Sequence, residues 1–151
     1  MGSFFRGINL LRACCEIVPS LASAHYKGQH GKVCVVGGSE TYTGAPYFAA
    51  MAALALGADL CTILCEPSAS APIKSYSPEL MVSSFLDDEE RVGKFASALQ
   101  SFSTVLVGPG LSTDSENVRR SALRIMSVCC TTYLNRKRAC AFLMHCETAN
   151  P

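Results

Sequence analysis

The sequence predicts an α/β layered fold, a parallel sheet with flanking helices, and three observations carry that expectation. Short Val-rich apolar runs recur along the chain. Loops bearing glycine follow two of them, and helical patterns come next. The composition, 49% hydrophobic and 17% charged over 151 residues, suits a sheet buried on both faces. The length is that of one ordinary domain with a real core.

Taken in order, residues 4 to 18 predict an amphipathic helix, with Phe4, Ile8, Leu11 and Val18 along one face. Arg6 and Arg12 against the single acid Glu16 give this segment a faint transit-peptide character. A helix packed on the domain and a targeting segment both remain open. Pro19 and the polar lead-in "SAHYKGQHG" precede the run Val33 to Val36, which is short and Val-rich like a buried parallel strand. Gly37 and Gly38 end it. Pro46 fits the first turn of a helix running to about Leu56, because its missing N–H costs nothing there, and Gly57 fits the C-terminal cap. A second strand spans roughly Asp59 to Cys65, which completes a βαβ unit. The pattern repeats: "ELMVSSF" as a strand, Asp88 to Gln100 as a helix, "FSTVLVG" as a strand and "ENVRRSALRIMSV" as a helix. Thr113 and Glu116 have capping-box spacing before the last helix. The acid run Asp87 to Glu90 complements the dipole of the helix it starts. At least three or four parallel strands are therefore expected. After about Cys130 the character changes, with no alternation and no turn dipeptide. No glycine follows Gly110 anywhere in the chain.

Several function classes are excluded. Thirteen basic and twelve acidic residues leave net +1, with no electrostatic footprint for nucleic acid, and Arg136 to Arg138 is too short a run to act as a binding arm. No apolar run approaches the roughly 20 residues that span a bilayer, so no membrane partner is expected. Arg6 breaks the myristoylation pattern of "MGSFFR". The nine cysteines make no C-x-x-C, and Cys34, Cys61 and Cys65 sit in apolar runs as small hydrophobes. Cys130, Cys140, His145 and Cys146 fit no common zinc spacing, so no metal site is expected. The odd cysteine count and the lack of a secretory h-region favour a reducing compartment. The cytoplasm is expected, with the mitochondrion as the alternative.

The loops after Val36 and Val107 carry the functional signal. Parallel sheets of this kind bind ligands beyond the carboxyl ends of their strands, and both loops fall there. The first, G-G-x-x-x-x-x-G, is neither a dinucleotide fingerprint nor a P-loop. Two readings stay open: turn geometry alone, or a close backbone approach to a ligand. Ser39, Thr41, Tyr42 and Thr43 offer hydroxyls for a ribose or phosphate, or simply for the turn itself. Gly44 and Ala45 leave room for a flat ligand at a helix N-terminus, where free N–H groups favour anions. Gly108 and Gly110 of "GPG" offer the same on the second loop. Ser39 lacks a G-x-S-x-G context, and His25, His30 and His145 show no triad order, so no nucleophile is indicated.

In this order and spacing, "YKGQHGKVCVVGG", "YTGAPYFAAMAAL", "GADL", "IKSYSPELMV" and "VLVGPGL" resemble the NAD(P)H-hydrate dehydratases, more narrowly their ATP-dependent, S-specific eukaryotic group. The resemblance covers about residues 16 to 128. It implies a ribokinase-like fold and ATP with Mg²⁺ as cofactors. The implied reaction phosphorylates the hydroxyl of hydrated NADH or NADPH, and loss of phosphate restores the dihydronicotinamide. By the same resemblance Gly110 and Ala45 contact the hydrated nucleotide, while Gly44, Gly108, Gly37 and Gly38 shape that side of the cleft. Ser112 stands where the family usually has the last glycine of "GPGLG". The family's later motifs, "DADG", "N-H-x-E", a "KG-x-x-D"-like contact and "G-x-G-D", are not in this chain. None of its four aspartates, Asp59, Asp87, Asp88 and Asp114, directly follows a glycine.

The expected organisation is an N-terminal helix and lead-in over 1–24, a partial dehydratase domain over 25–130, and a tail over 131–151 that does not resemble the family. The expected function is ATP-dependent repair of hydrated NADH and NADPH. The alternatives are an inactive truncated fragment that at most binds a dinucleotide, and an unstable chain whose half-sheet exposes an apolar edge. That edge makes a homo-oligomer the expected state of a folded chain.

Overall fold

A computed structural model describes residues 26–112, 115–134 and 139–142. The helix expected over residues 4 to 18, the Thr113 cap, His25, His145 and Cys146 lie outside them. The described elements are β1 (Lys32–Val36), α1 (Gly44–Ala55), β2 (Leu60–Cys65), α2 (Pro67–Tyr76), β3 (Met81–Ser84), α3 (Glu89–Ala98), a 3-10 turn (Leu99–Ser101), β4 (Thr104–Val107), α4 (Glu116–Leu134) and β5 (Ala139–Phe142).

All five strands run parallel in one sheet of order β3-β2-β1-β4-β5. β1 is central, and its last residue, Val36, pairs with Leu64 on one side and Val107 on the other. The chain winds outward from β1 to β3, then crosses back to place β4 on the opposite flank of β1. β4 and β1 therefore flank the point where the winding reverses.

Local sequence explains most elements. Helix α1 carries Pro46 in its first turn and ends in a Schellman closure: Gly57 has φ +105°, with N–H groups of Gly57 and Ala58 donating to the carbonyls of Leu54 and Ala53. Asp88 caps α3, its side chain accepting from the N–H groups of Glu90 at 3.1 Å and Arg91 at 3.0 Å. Helix α4 begins at Glu116, where the Ser115 hydroxyl accepts from the Val118 N–H at 3.5 Å. Glu116 is thus a first-turn residue, and its carboxylate pairs with Arg119 and Arg120.

Two elements have no counterpart in the sequence expectations. Helix α2 holds Pro67 in its first turn and Pro72 inside. Its Ser- and Pro-rich text hides the apolar positions Ala69 and Ile73, both fully buried. Strand β5 lies beyond Cys130, where no strand is expected, and pairs with β4 from Thr104↔Ala139 to Val107↔Phe142.

The core has two layers because strand side chains alternate between faces. On one face Val35, Cys61, Ile63 and Cys65 meet Ala50 of α1 and Ala69 and Ile73 of α2. On the other, Cys34, Val36, Leu64, Val105 and Val107 meet Val92 and Ala96 of α3 and Val118, Ala122 and Ile125 of α4. Cys34, Cys61 and Cys65 are buried free thiols, as their apolar context predicts. Burial pushes Cys61 and Cys65 up to about 11 and holds Cys34 far above the ordinary thiol range. None is a nucleophile at neutral pH.

Candidate functional site

The loops after β1 and β4 meet at the carboxyl edge of the sheet, at the reversal of winding where an open α/β sheet presents its crevice. They are knitted together by backbone. The Gly38 N–H donates to the Pro109 carbonyl at 3.0 Å, the Gly108 N–H to Val36 at 3.0 Å, and the Gly37 N–H to Leu64 at 2.9 Å. The structure thus brings the glycines of the two loops to one edge of the sheet.

These contacts also explain why the positions are glycine. A Cβ on Gly37 would collide with the Pro109 carbonyl. Gly110 adopts φ +65°, and a Cβ there would lie 2.6 Å from the Tyr42 carbonyl oxygen and 3.3 Å from Pro46 Cδ. Pro46, buried in the first turn of α1, is thereby packed between the loops. Gly37 and Gly38 are buried, so they form the floor. Gly44, Gly108 and Gly110 are half-buried, and Ala45 is exposed. Gly44, Ala45, Gly108 and Gly110 thus keep accessible surface at this edge, and Gly37 and Gly38 do not.

The hydroxyls divide between turn and surface. Ser39 is buried, and its Oγ accepts from the Tyr42 N–H at 3.3 Å, so it closes the turn. Thr43, the N-cap residue of α1, makes no cap bond; its Oγ1 is 2.8 Å from the Tyr76 hydroxyl at the end of α2. The first turn of α1 therefore has no side-chain cap and no acidic residue. Tyr76 and Phe48 were not legible as site residues from sequence, since only the fold brings the end of α2 beside the start of α1. The sequence pattern gives Glu66 no role either. It follows β2 at the same edge, with its N–H donating to the Gly38 carbonyl at 3.3 Å.

At the opposite end of the sheet, Asp59 holds the turn before β1. Its carboxylate accepts from the N–H groups of Gly28 and His30, each at 2.9 Å. The His30 amide is the largest influence holding the Asp59 carboxyl below its usual range; partial burial opposes it and the Gly28 amide adds to it. His30 is half-buried in this turn, far from the glycine loops in the fold. Among the described residues no group of three His, Cys, Asp or Glu side chains could hold a metal ion. No described helix is long and apolar enough to cross a membrane.

Comparison with known proteins agrees with this geometry. The family model for NAD(P)H-hydrate dehydratase matches residues 33–133. The ATP-dependent (S)-NAD(P)H-hydrate dehydratase of Ixodes scapularis is 52% identical over 102 residues, covering 68% of this chain and 32% of that protein. Its namesake in Drosophila melanogaster is 42% identical over 123 residues, covering 82% of this chain and 41% of that protein. The chain thus spans between about a third and two fifths of the length of these curated relatives. Among solved structures, a ribokinase-like superfamily protein of Enterococcus faecalis V583 superposes with a TM-score of 0.62 at 25% identity, over 74% of this chain and 37% of that one.

Proposed function

The chain belongs to the NAD(P)H-hydrate dehydratase family, and from that premise we propose that its switch-point loops bind hydrated NADH or NADPH for ATP-dependent dehydration of the S form. The observation that carries the proposal is the interlock of the two glycine loops at the carboxyl edge, with Gly110 turned against Tyr42 and Pro46. Gly44, Gly108 and Gly110 lie half-buried on that edge, beside the start of α1, which has no side-chain cap. The diphosphate of the dinucleotide would lie at that helix start, where unpaired N–H groups favour negative charge. Ala45, exposed in the same turn, would lie under the sugar or ring.

ATP supplies the phosphoryl group that turns the hydrate's hydroxyl into a leaving group. The residues of this chain contribute binding and orientation, which in such reactions make up much of the catalytic effect. Mg²⁺ would come with ATP, since the described residues hold no group of three His, Cys, Asp or Glu side chains that could bind it. The compartment of action is proposed as the cytoplasm.

The test is turnover. The purified chain is incubated with hydrated NADPH, ATP and Mg²⁺, and the return of dihydronicotinamide absorbance is followed against an ATP-free control. Saturable binding of the hydrate is expected, and ATP-dependent recovery of the S form alone would identify the stereospecificity. No recovery, with no binding of the hydrate by calorimetry, overturns the proposal.

A further inference from the structure

Three aromatic side chains, Tyr47, Phe48 and Tyr76, gather where α1 begins, and Tyr42 lies in the loop before it. Phe48 is 70% exposed, Tyr42 59% and Tyr76 45%, a costly arrangement for aromatic carbon unless something covers it. Tyr47 stands between two of them. Its ring meets Phe48 at 5.4 Å and Tyr76 at 5.2 Å between centroids, both edge to face. Phe48 also folds back over Gly44, where an added Cβ would sit 3.6 Å from its Cε2. The Phe48 ring is therefore oriented by neighbours on two sides while much of its surface stays open.

We propose that Phe48, backed by Tyr47 and Tyr76, is a stacking platform for an adenine ring, a role that rests on the dinucleotide-binding function proposed above. Three observations favour a nucleoside over other occupants. The platform is continuous with the ligand-facing residues Gly44 and Ala45. Paired hydroxyls of Thr43 and Tyr76 lie at its margin and can meet a ribose. No charged residue occurs between Glu40 and Asp59, so a neutral base suits the aromatic surface. Within the hydrated dinucleotide the choice of ring follows from chemistry. Hydration leaves saturated carbons in the nicotinamide ring, which is no longer flat, while the adenine remains planar and stacks. ATP carries the same base, so the shared chemistry is adenine.

The test titrates the full chain by calorimetry with ADP-ribose, ATP and hydrated NADPH, comparing wild type, Phe48→Tyr and Phe48→Ala. Stacking predicts that Phe48→Ala weakens binding by about tenfold or more, and that Phe48→Tyr stays within about twofold of wild type. Phe48 is exposed, so the unfolding midpoint should not move. If it does, Tyr76→Ala takes its place, with a weaker loss of about threefold or more expected. Loss for ADP-ribose alone assigns the platform to the dinucleotide, loss for ATP alone assigns it to the nucleotide, and either supports it. If every ligand binds wild type and Phe48→Ala equally, the platform falls and the dehydratase assignment stands. If ADP-ribose or ATP binds through Phe48 and hydrated NADPH does not bind, the dehydratase assignment falls instead. Failure of wild type to bind any of the three overturns both.

Discussion

Gly37 and Gly44 bracket the same loop, yet different constraints hold them. An alanine at 37 must displace the Pro109 carbonyl, whereas an alanine at 44 meets only the Phe48 ring at ordinary contact distance. Gly37→Ala should therefore destabilise the fold by about 1–3 kcal/mol, the usual range for overpacking. Gly44→Ala should change stability by no more than about 0.5 kcal/mol. Denaturant unfolding of the two variants checks both values. Asp59 gives a prediction in pH. Its folded carboxyl titrates below the unfolded value, so its contribution is complete above the ordinary carboxylate range and is lost as pH falls through the lower folded value. Asp59→Asn should lower the unfolding midpoint at neutral pH, and the difference from wild type should close below about pH 4. A difference that persists in acid would show that the carboxylate charge is not what holds the turn. From sequence, the glycines stood out as a class; their separate reasons did not, because those lie in atoms of the other loop.

At the scale of elements, what could be read depended on whether the signal was local. Strands β1, β2 and β4 are short apolar runs with clear stops, and α1 carries Pro46 and Gly57 at its ends. All were legible. Helix α2 was not, since its internal Pro72 argues against a helix and its packing on β3 is a tertiary effect. Strand β5 has no periodic signal of its own and exists as a strand through pairing with β4. The acid run before α3 was legible as a dipole complement, and Asp88 adds a side-chain cap to that role. Asp88→Ala should cost about 1 kcal/mol, the common value for a lost cap, while Asp87→Ala should cost much less. Urea midpoints of the pair distinguish a cap from a general charge effect.

Among the described residues the sheet ends in β3 on one side and β5 on the other, with helices packed on both faces. Exposed parallel edges invite pairing, and Met81 on β3 is 43% exposed. The unfolding midpoint should accordingly rise with protein concentration, as it does for any fold stabilised by association. A midpoint unchanged over a hundredfold or so of concentration, together with a monomer mass in sedimentation, would contradict that expectation. The reversal of winding at β1 and β4 is a property of the whole sheet. The two loops could be placed at strand ends from the sequence, but the reversal and the strand order had to come from the fold.

The central claim is that the loops at this reversal hold the hydrated dinucleotide. Amide NMR shifts of the isotope-labelled chain, titrated with hydrated NADPH, test it most directly. The account predicts saturable shifts concentrated at Gly37, Gly38, Gly44, Ala45, Gly108 and Gly110, with the Asp59 turn and the outer faces of α3 and α4 unmoved. Saturable shifts centred on α3 and α4, or none at all from a folded chain, would contradict it.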